Sequence, residues 1–343
     1  MTSRLFGVGV EGPELTPKEE AILERLPPRG VILFRRNIET AAQTADLARR
    51  IRARGLLVFI DQEGGPVDRL RHILGASISL REAARRGAAR EAGELAGEAC
   101  SRLGVSVDLA PVVDRLVAGA SERILGDRCV EGGSRAVARA GSAFLAGLHS
   151  RGVGGCVKHF PGLGRAVADT HAELPRVPVS RRERERDLEP FSRTMRRARA
   201  VMVSHAAGPD GIPASLSATI AGRLLRRKLG FDGAAFSDDL EMGALAAFGQ
   251  LAERCVRACR AGCDLLFVCS RIDEYPDCVS AVGEQVTLRR RSAAAKRLDA
   301  YERHLRRLRD AARPPRPLSR LAAAIARLRD DSNRSALPSE GVN

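Results

Sequence analysis

At 343 residues and 36.9 kDa, with 44% hydrophobic and 29% charged residues, the chain has a globular composition, neither fibrous nor wholly disordered. Its longest apolar runs, such as LLVFI (56–60) and DLLFV (264–268), fall far short of the about 20 residues a bilayer-crossing helix needs. No apolar leader follows a charged start, so no membrane partner is expected and a cytoplasmic location is. A net charge of +15 and a pI near 10.5 invite a nucleic-acid reading. The detail opposes it. Only four of the 57 basic residues are lysine (Lys18, Lys158, Lys228, Lys296), and the arginines are spread among glutamates along helical stretches. With 3% aromatic residues and no Trp, stacking platforms for bases are scarce. The eight cysteines form no CxxC pair and no zinc-type spacing with histidine, so buried reduced thiols and no metal site are expected.

Eight short apolar segments recur in chain order: LFGVGV (5–10), VILF (31–34), LLVFI (56–60), VSVDLA (105–110), VGGCVKH (153–159), AVMVSH (200–205), GAAFSD (233–238) and DLLFVCS (264–270). Between them lie helical stretches such as PKEEAILERL (17–26), TAAQTADLARRIRAR (40–54) and SATIAGRLLRRKL (217–229). Alternating βα units predict a parallel sheet, and eight of them predict a single (β/α)8 TIM-type barrel over residues 1–285. A doubly wound open sheet is the alternative. An arginine-rich helical extension is expected over 286–330 and a disordered polar tail over 331–343.

The chemistry-bearing residues fall at strand ends. Asp61 follows the third segment and Asp114 the fourth; Lys158 and His159 end the fifth, His205 the sixth and Asp238 the seventh. Barrel enzymes build their sites at that end, so these side chains should converge on one mouth. Lys158-His159-Phe160-Pro161-Gly162-Leu163-Gly164 reads as a tight loop, and Asp169 two residues before His171 can orient an imidazole for acid/base work. It lacks the spacing of a phosphate-binding glycine loop. Asp238 and Asp239 are adjacent carboxylates; LEMGALAAF looks helical, so Asp239 is expected as its N-cap while Asp238 points into the mouth. Asp61 with Arg69 supplies a carboxylate and a guanidinium suited to vicinal hydroxyls.

IDQEGGPVDRL (60–70), KHFPGLG (158–164) with DTHAELP (169–175), and FSDDLEMGAL (236–245) together resemble glycoside hydrolase family 3, in its bacterial β-N-acetylhexosaminidase branch. GVILFRRNI (30–38), VDLAPVVD (107–114), ILGDR (124–128), VMVSH (201–205) and PASLS (213–217) fit in the same order, so the likeness covers about residues 4–275. The resemblance implies a retaining exo-β-N-acetylglucosaminidase acting on peptidoglycan-derived muropeptides through a covalent glycosyl-aspartate. It makes Asp238 the nucleophile, His171 the acid/base and Asp169 its partner, with Asp61, Arg69, Arg128, Lys158 and His159 holding the sugar. It implies no cofactor and no metal. A small carbohydrate is the expected partner of a monomer. Leu163 and Arg165 depart from the family loop KHFPGHGDT. The same framework could instead serve a β-glucosidase, a phosphorylase passing the sugar to phosphate, or a degenerate binding protein.

Overall fold

The computed structural model describes residues 2–117, 125–164, 180–208 and 211–335, with side chains described as far as Asp330. Eight parallel barrel strands follow the eight segments of the sequence. They are Phe6–Gly9, Gly30–Leu33, Leu57–Ile60, Val107–Asp108, a fifth in two pieces (Gly154–Gly155 and Val157–Phe160), Ala200–Val203, Ala234–Asp239 and Leu265–Val268. Neighbours in the sheet follow chain order, and the eighth strand pairs with the first through Phe6 against Leu266. The two free ends of the ladder are the two pieces of the fifth strand, separated only by Cys156, so the sheet closes on itself. A closed barrel it is.

Strands of this kind, covered on both faces, should read as continuous apolar runs, and six of the eight are buried at every position. The interior is not wholly aliphatic, though. Phe59 meets Phe267 and Phe236 edge to face across the barrel at 5.4 and 6.0 Å. Three of the ten phenylalanines thus fill space that branched aliphatics usually occupy.

The outer helices have local causes. Helix Pro17–Arg25 starts at a reciprocal capping box between Thr16 and Glu19. Ala41–Ala53 starts at Thr40, whose hydroxyl accepts from the Gln43 amide. Both lie within a residue of the stretches the periodicity predicts. All eight cysteines are buried and unpaired, as expected of structural thiols.

Helix Leu288–Asp310 closes the bottom of the barrel. Tyr301 donates to the Gly155 carbonyl at 3.1 Å and stacks edge-on to Phe236 at 5.6 Å. Gly154 lets the helix approach closely: a Cβ there would sit 2.1 Å from Leu305 Cδ2 and 2.8 Å from the Tyr301 hydroxyl, so both side chains would have to shift. Buried charges fix the helix in register: Asp264, with no exposed surface, takes Arg226, Arg290 and Arg297 at 2.5, 3.1 and 3.3 Å. Many of the arginines are therefore structural. A last helix, Leu318–Ser335, packs on helix Ala89–Arg102; residues 336–343, in the expected tail, lie outside the described residues.

Candidate active site

At the C-terminal ends of the strands lies a cavity of about 230 Å³. Six of the eight residues to which the family resemblance gives a catalytic or sugar-binding role line it: Asp61, Arg69, Arg128, Lys158, His159 and Asp238. The other two, Asp169 and His171, lie outside the described residues, as does Arg165.

The cavity wall is an ion network. Lys158, almost wholly buried, reaches Asp61 Oδ1 at 2.5 Å and Glu63 Oε1 at 2.7 Å. Glu63 in turn takes Arg128 through two parallel bonds, Nε to Oε2 at 2.8 Å and Nη2 to Oε1 at 2.9 Å. Burial alone would raise the Glu63 carboxyl, but Lys158 and Arg128 hold it far below the usual carboxylate range. The same pairs outweigh burial at Lys158, whose ammonium is held above its ordinary value. Both partners are charged at any physiological pH.

His159 is set by its two neighbours. Nδ1 donates to Asp114 Oδ2 at 2.7 Å, which leaves Nε2 to accept from Arg128 Nη2 at 3.2 Å. Asp114 also accepts from the His159 and Leu163 amides at 3.1 and 2.6 Å. It thereby pins the start of the glycine loop. Leu163 is buried in a small cluster with Leu125, Cys129 and Ala206, and its side chain forms part of the cavity wall.

Asp238 stands opposite. Its Oδ1 accepts from the Asp239 amide at 2.9 Å. Burial pushes its carboxyl up, yet His205, His159, the Asp239 amide and Lys158 together hold it below the ordinary value. An anion is ready there at neutral pH. His205 donates from Nε2 to the Asp239 carbonyl at 2.7 Å and accepts from the Ser215 hydroxyl at Nδ1, also at 2.7 Å, so the end of the seventh strand is held in place.

Asp239 does not cap a helix. The seventh strand runs through it, only a short turn, Gly243–Phe248, follows, and the next α-helix begins at Leu251. Asp239 Oδ1 accepts from the Glu241 amide at 3.1 Å, closing a local turn, and its side chain lines the cavity. Burial, with Glu241 and Asp238 close by, pushes its carboxyl up to about 7.

Sequence reasoning passed over Glu63 and expected Asp114 only at the mouth, with no role; both tie the site together. For Glu63 a signal existed. Residues two apart in extended chain share a side, so Asp61 in the mouth implied Glu63 beside it. Gly64 continues the segment at φ 80°, where a Cβ would lie 2.2 Å from the Ile78 carbonyl. For Asp114 the sequence held only its position after a strand.

The model of the glycosyl hydrolase family 3 N-terminal domain matches residues 10–307. The chain belongs to glycosyl hydrolase family 3. A β-hexosaminidase from Alkalilimnicola ehrlichii is 36% identical over 291 residues, 80% of this chain and 82% of that protein. The structure of NagZ from Neisseria gonorrhoeae, in complex with N-trifluoroacetyl-D-glucosamine, superposes with a TM-score of 0.76 at 28% identity, covering 94% of this chain and 98% of that one. A family 3 β-N-acetylglucosaminidase from Paenibacillus sp. gives a TM-score of 0.86 at 30% identity, over 96% of this chain and 68% of that one. The chain is accordingly a glycoside hydrolase, and the family match runs on into the helix that closes the barrel bottom.

Proposed function

We propose that this glycoside hydrolase is a retaining exo-β-N-acetylglucosaminidase that removes terminal β-linked N-acetylglucosamine from peptidoglycan-derived fragments in the cytoplasm. The observation that carries the reading is Asp238, held as an anion at the end of the seventh strand, facing a wall of fixed hydrogen-bonding charges. Three further facts support it. Relatives and structural neighbours carry the names β-hexosaminidase and β-N-acetylglucosaminidase. The cavity is smaller than the roughly 300–1,000 Å³ of drug-sized sites, which suits one sugar residue and hence an exo-acting enzyme. Arg69 enters it with a buried Nε that has no hydrogen-bond partner among the described residues.

In this reading the Asp238 carboxylate attacks the anomeric carbon while the glycosidic C–O bond breaks. His171, oriented by Asp169, protonates the departing oxygen, then takes a proton from the water that releases the sugar from Asp238. Asp61, Glu63, Lys158 and Arg128 would grip the sugar's hydroxyls, their mutual pairs keeping each donor and acceptor aimed before substrate arrives. No step calls for a metal or an organic cofactor.

A slow 5-fluoro analogue of an activated N-acetylglucosaminide tests the covalent step. Intact protein should gain one sugar mass, located on the peptide carrying Asp238, and the Asp238→Asn variant should gain none. Label on another residue, or none in the active parent, would contradict the reading. Running turnover with and without phosphate adds a second arm: sugar 1-phosphate as product would make the enzyme a phosphorylase.

A further inference from the structure

The last helix, Leu318–Ser335, is remote in sequence from the cavity and lies beyond the span matched by the family model. Its inner face is nonetheless buried: Leu321 has no exposed surface, and Ala324, Ile325 and Leu328 are nearly covered. It packs on helix Ala89–Arg102 and on the short turn Arg71–Leu74. Its approach is clamped. Glu98, fully buried, accepts from the Arg316 amide at 2.5 Å and pairs with the Arg316 and Arg151 guanidinium groups at 2.8 and 3.3 Å. Arg102 Nε donates to the Arg316 carbonyl at 2.6 Å, and Arg86 Nη1 to that of Leu328 at 2.9 Å. The helix is thus held both at its approach and along its body.

What the helix touches gives the reason. Ile325 and Leu328 border a space of only about 20 Å³ that Gln62, Glu63 and Gly64 also line, as do Ala92, Leu95 and Ala96 of helix Ala89–Arg102 and Phe144. That is room for little more than one water molecule. Gln62, Glu63 and Gly64 form the first strand of a hairpin, Gln62–Gly64 against Val67–Asp68. The hairpin is tied sideways, where the Gly65 amide donates to the Ser77 carbonyl at 3.0 Å and the Ser77 amide to Asp68 Oδ2 at 2.7 Å. In front, Glu63 holds Lys158 and Arg128. Behind it stand helix Ala89–Arg102 and, across the same small space, the apolar edge of the C-terminal helix.

We propose that Ile325 and Leu328 are positioning residues for the sugar site: they support the Glu63 hairpin from behind, and through it fix where Lys158 and Arg128 point. This rests on the cavity being the sugar site. Packed interiors transmit displacement rather than absorb it, so a void behind the hairpin lets Glu63 retreat and loosens both cations.

The test uses the full chain and three truncations on one face of one helix: Ile325→Ala, Leu328→Ala and, as control, Leu321→Ala, which is equally buried but does not border that space. Hydrogen exchange of residues 62–68 is measured alongside KM and kcat for 4-nitrophenyl β-N-acetylglucosaminide. Ile325→Ala and Leu328→Ala should speed exchange in the hairpin about tenfold and raise KM about tenfold, with kcat changed less than about threefold. Leu321→Ala should do neither, even where it lowers Tm as much. Unchanged hairpin exchange in both test variants, or an equal effect in the control, overturns the proposal. Selective loosening in a protein whose parent cleaves no such sugar would uphold the support role and overturn the functional reading instead. Should Leu328→Ala fail to fold, Leu328→Val carries the same comparison.

Discussion

Replacing Glu63 by glutamine keeps its shape and removes one charge from the middle of the cavity wall. Lys158 would still have Asp61 at 2.5 Å, whereas Arg128 would exchange a bidentate bond to a carboxylate for at most one bond to a neutral amide oxygen, beside His159 at 3.2 Å. Breaking a buried ion pair from one side costs about 3–5 kcal/mol. Because Lys158 keeps a partner and the Arg128 side chain is 17% exposed, the low end applies, about 3 kcal/mol. A chain of 343 residues unfolds with an entropy of about 0.7 kcal/mol per kelvin, so Tm should fall by about 4 °C. Loss of alignment at two sugar-binding cations should lower kcat/KM by about 10- to 100-fold, largely through KM. The pH dependence is a further check. Glu63 titrates far below its unfolded value of about 4.3, so its contribution is fully present above that pH and lost only as pH falls towards the folded value. Thermal scans of parent and variant should therefore differ by a constant amount from pH 8 to about pH 5 and converge below about pH 4. A Glu63→Gln protein with parental Tm and KM would refute the bridging role.

Other consequences are open to similar measurement. Asp239 is pushed up to about 7 in the folded chain, so its contribution to stability is present below its unfolded value and lost as pH rises towards 7. Asp239→Asn should match the parent near pH 4 and exceed it by up to about 4 kcal/mol at pH 8 in urea unfolding; equal curves at both would discount the ionisation. His149 and His304 meet edge to face at 5.4 Å, each with a buried Nε2 that has no partner among the described residues. Burial, then His304 and Arg197, hold His149 down to about 3, and burial, then Arg199 and Arg307, hold His304 down to about 4. Stability they contribute above about pH 6.5 is lost as pH falls below it, by about 1–2 kcal/mol each at pH 5. A His149→Phe, His304→Phe double variant should flatten that acid slope, and an unchanged slope would place the sensitivity elsewhere. Truncating the proposed acid/base, His171→Ala, should cost about 10²–10⁴ in rate on an unactivated glycoside and much less on an activated aryl glycoside; equal losses on both would assign it another role.

The barrel was legible because each strand is a short β-rich apolar run followed by turn residues and a helical stretch, from LFGVGV to DLLFVCS. The mouth was legible for the same reason: of the six polar residues at strand ends, Asp61, Lys158, His159 and Asp238 line the cavity, and Asp114 and His205 hold its walls. What escaped depends on contacts between distant segments. Glu63 binds residues 65 and 95 positions away, and Asp114 reaches the fifth strand and its loop, pairings that no local periodicity encodes. Asp239 was misassigned because an aspartate before apolar residues suits both a helix cap and a strand end. The strand continued through it, since its amide holds Asp238 and its carbonyl takes His205. The basic surplus was equally opaque: only the structure shows Arg226, Arg290 and Arg297 gathered on Asp264.

The central claim is that Asp238 performs the first bond-making step on an N-acetylglucosaminide. It is tested most directly by release of 4-nitrophenol from the β-N-acetylglucosaminide and the β-glucoside, by the parent and by Asp238→Asn at matched folded concentration. The account predicts that the parent prefers the N-acetyl sugar and that the variant is inactive on both. Near-parental activity in the variant would contradict the assignment of Asp238, and a preference for the glucoside would contradict the substrate.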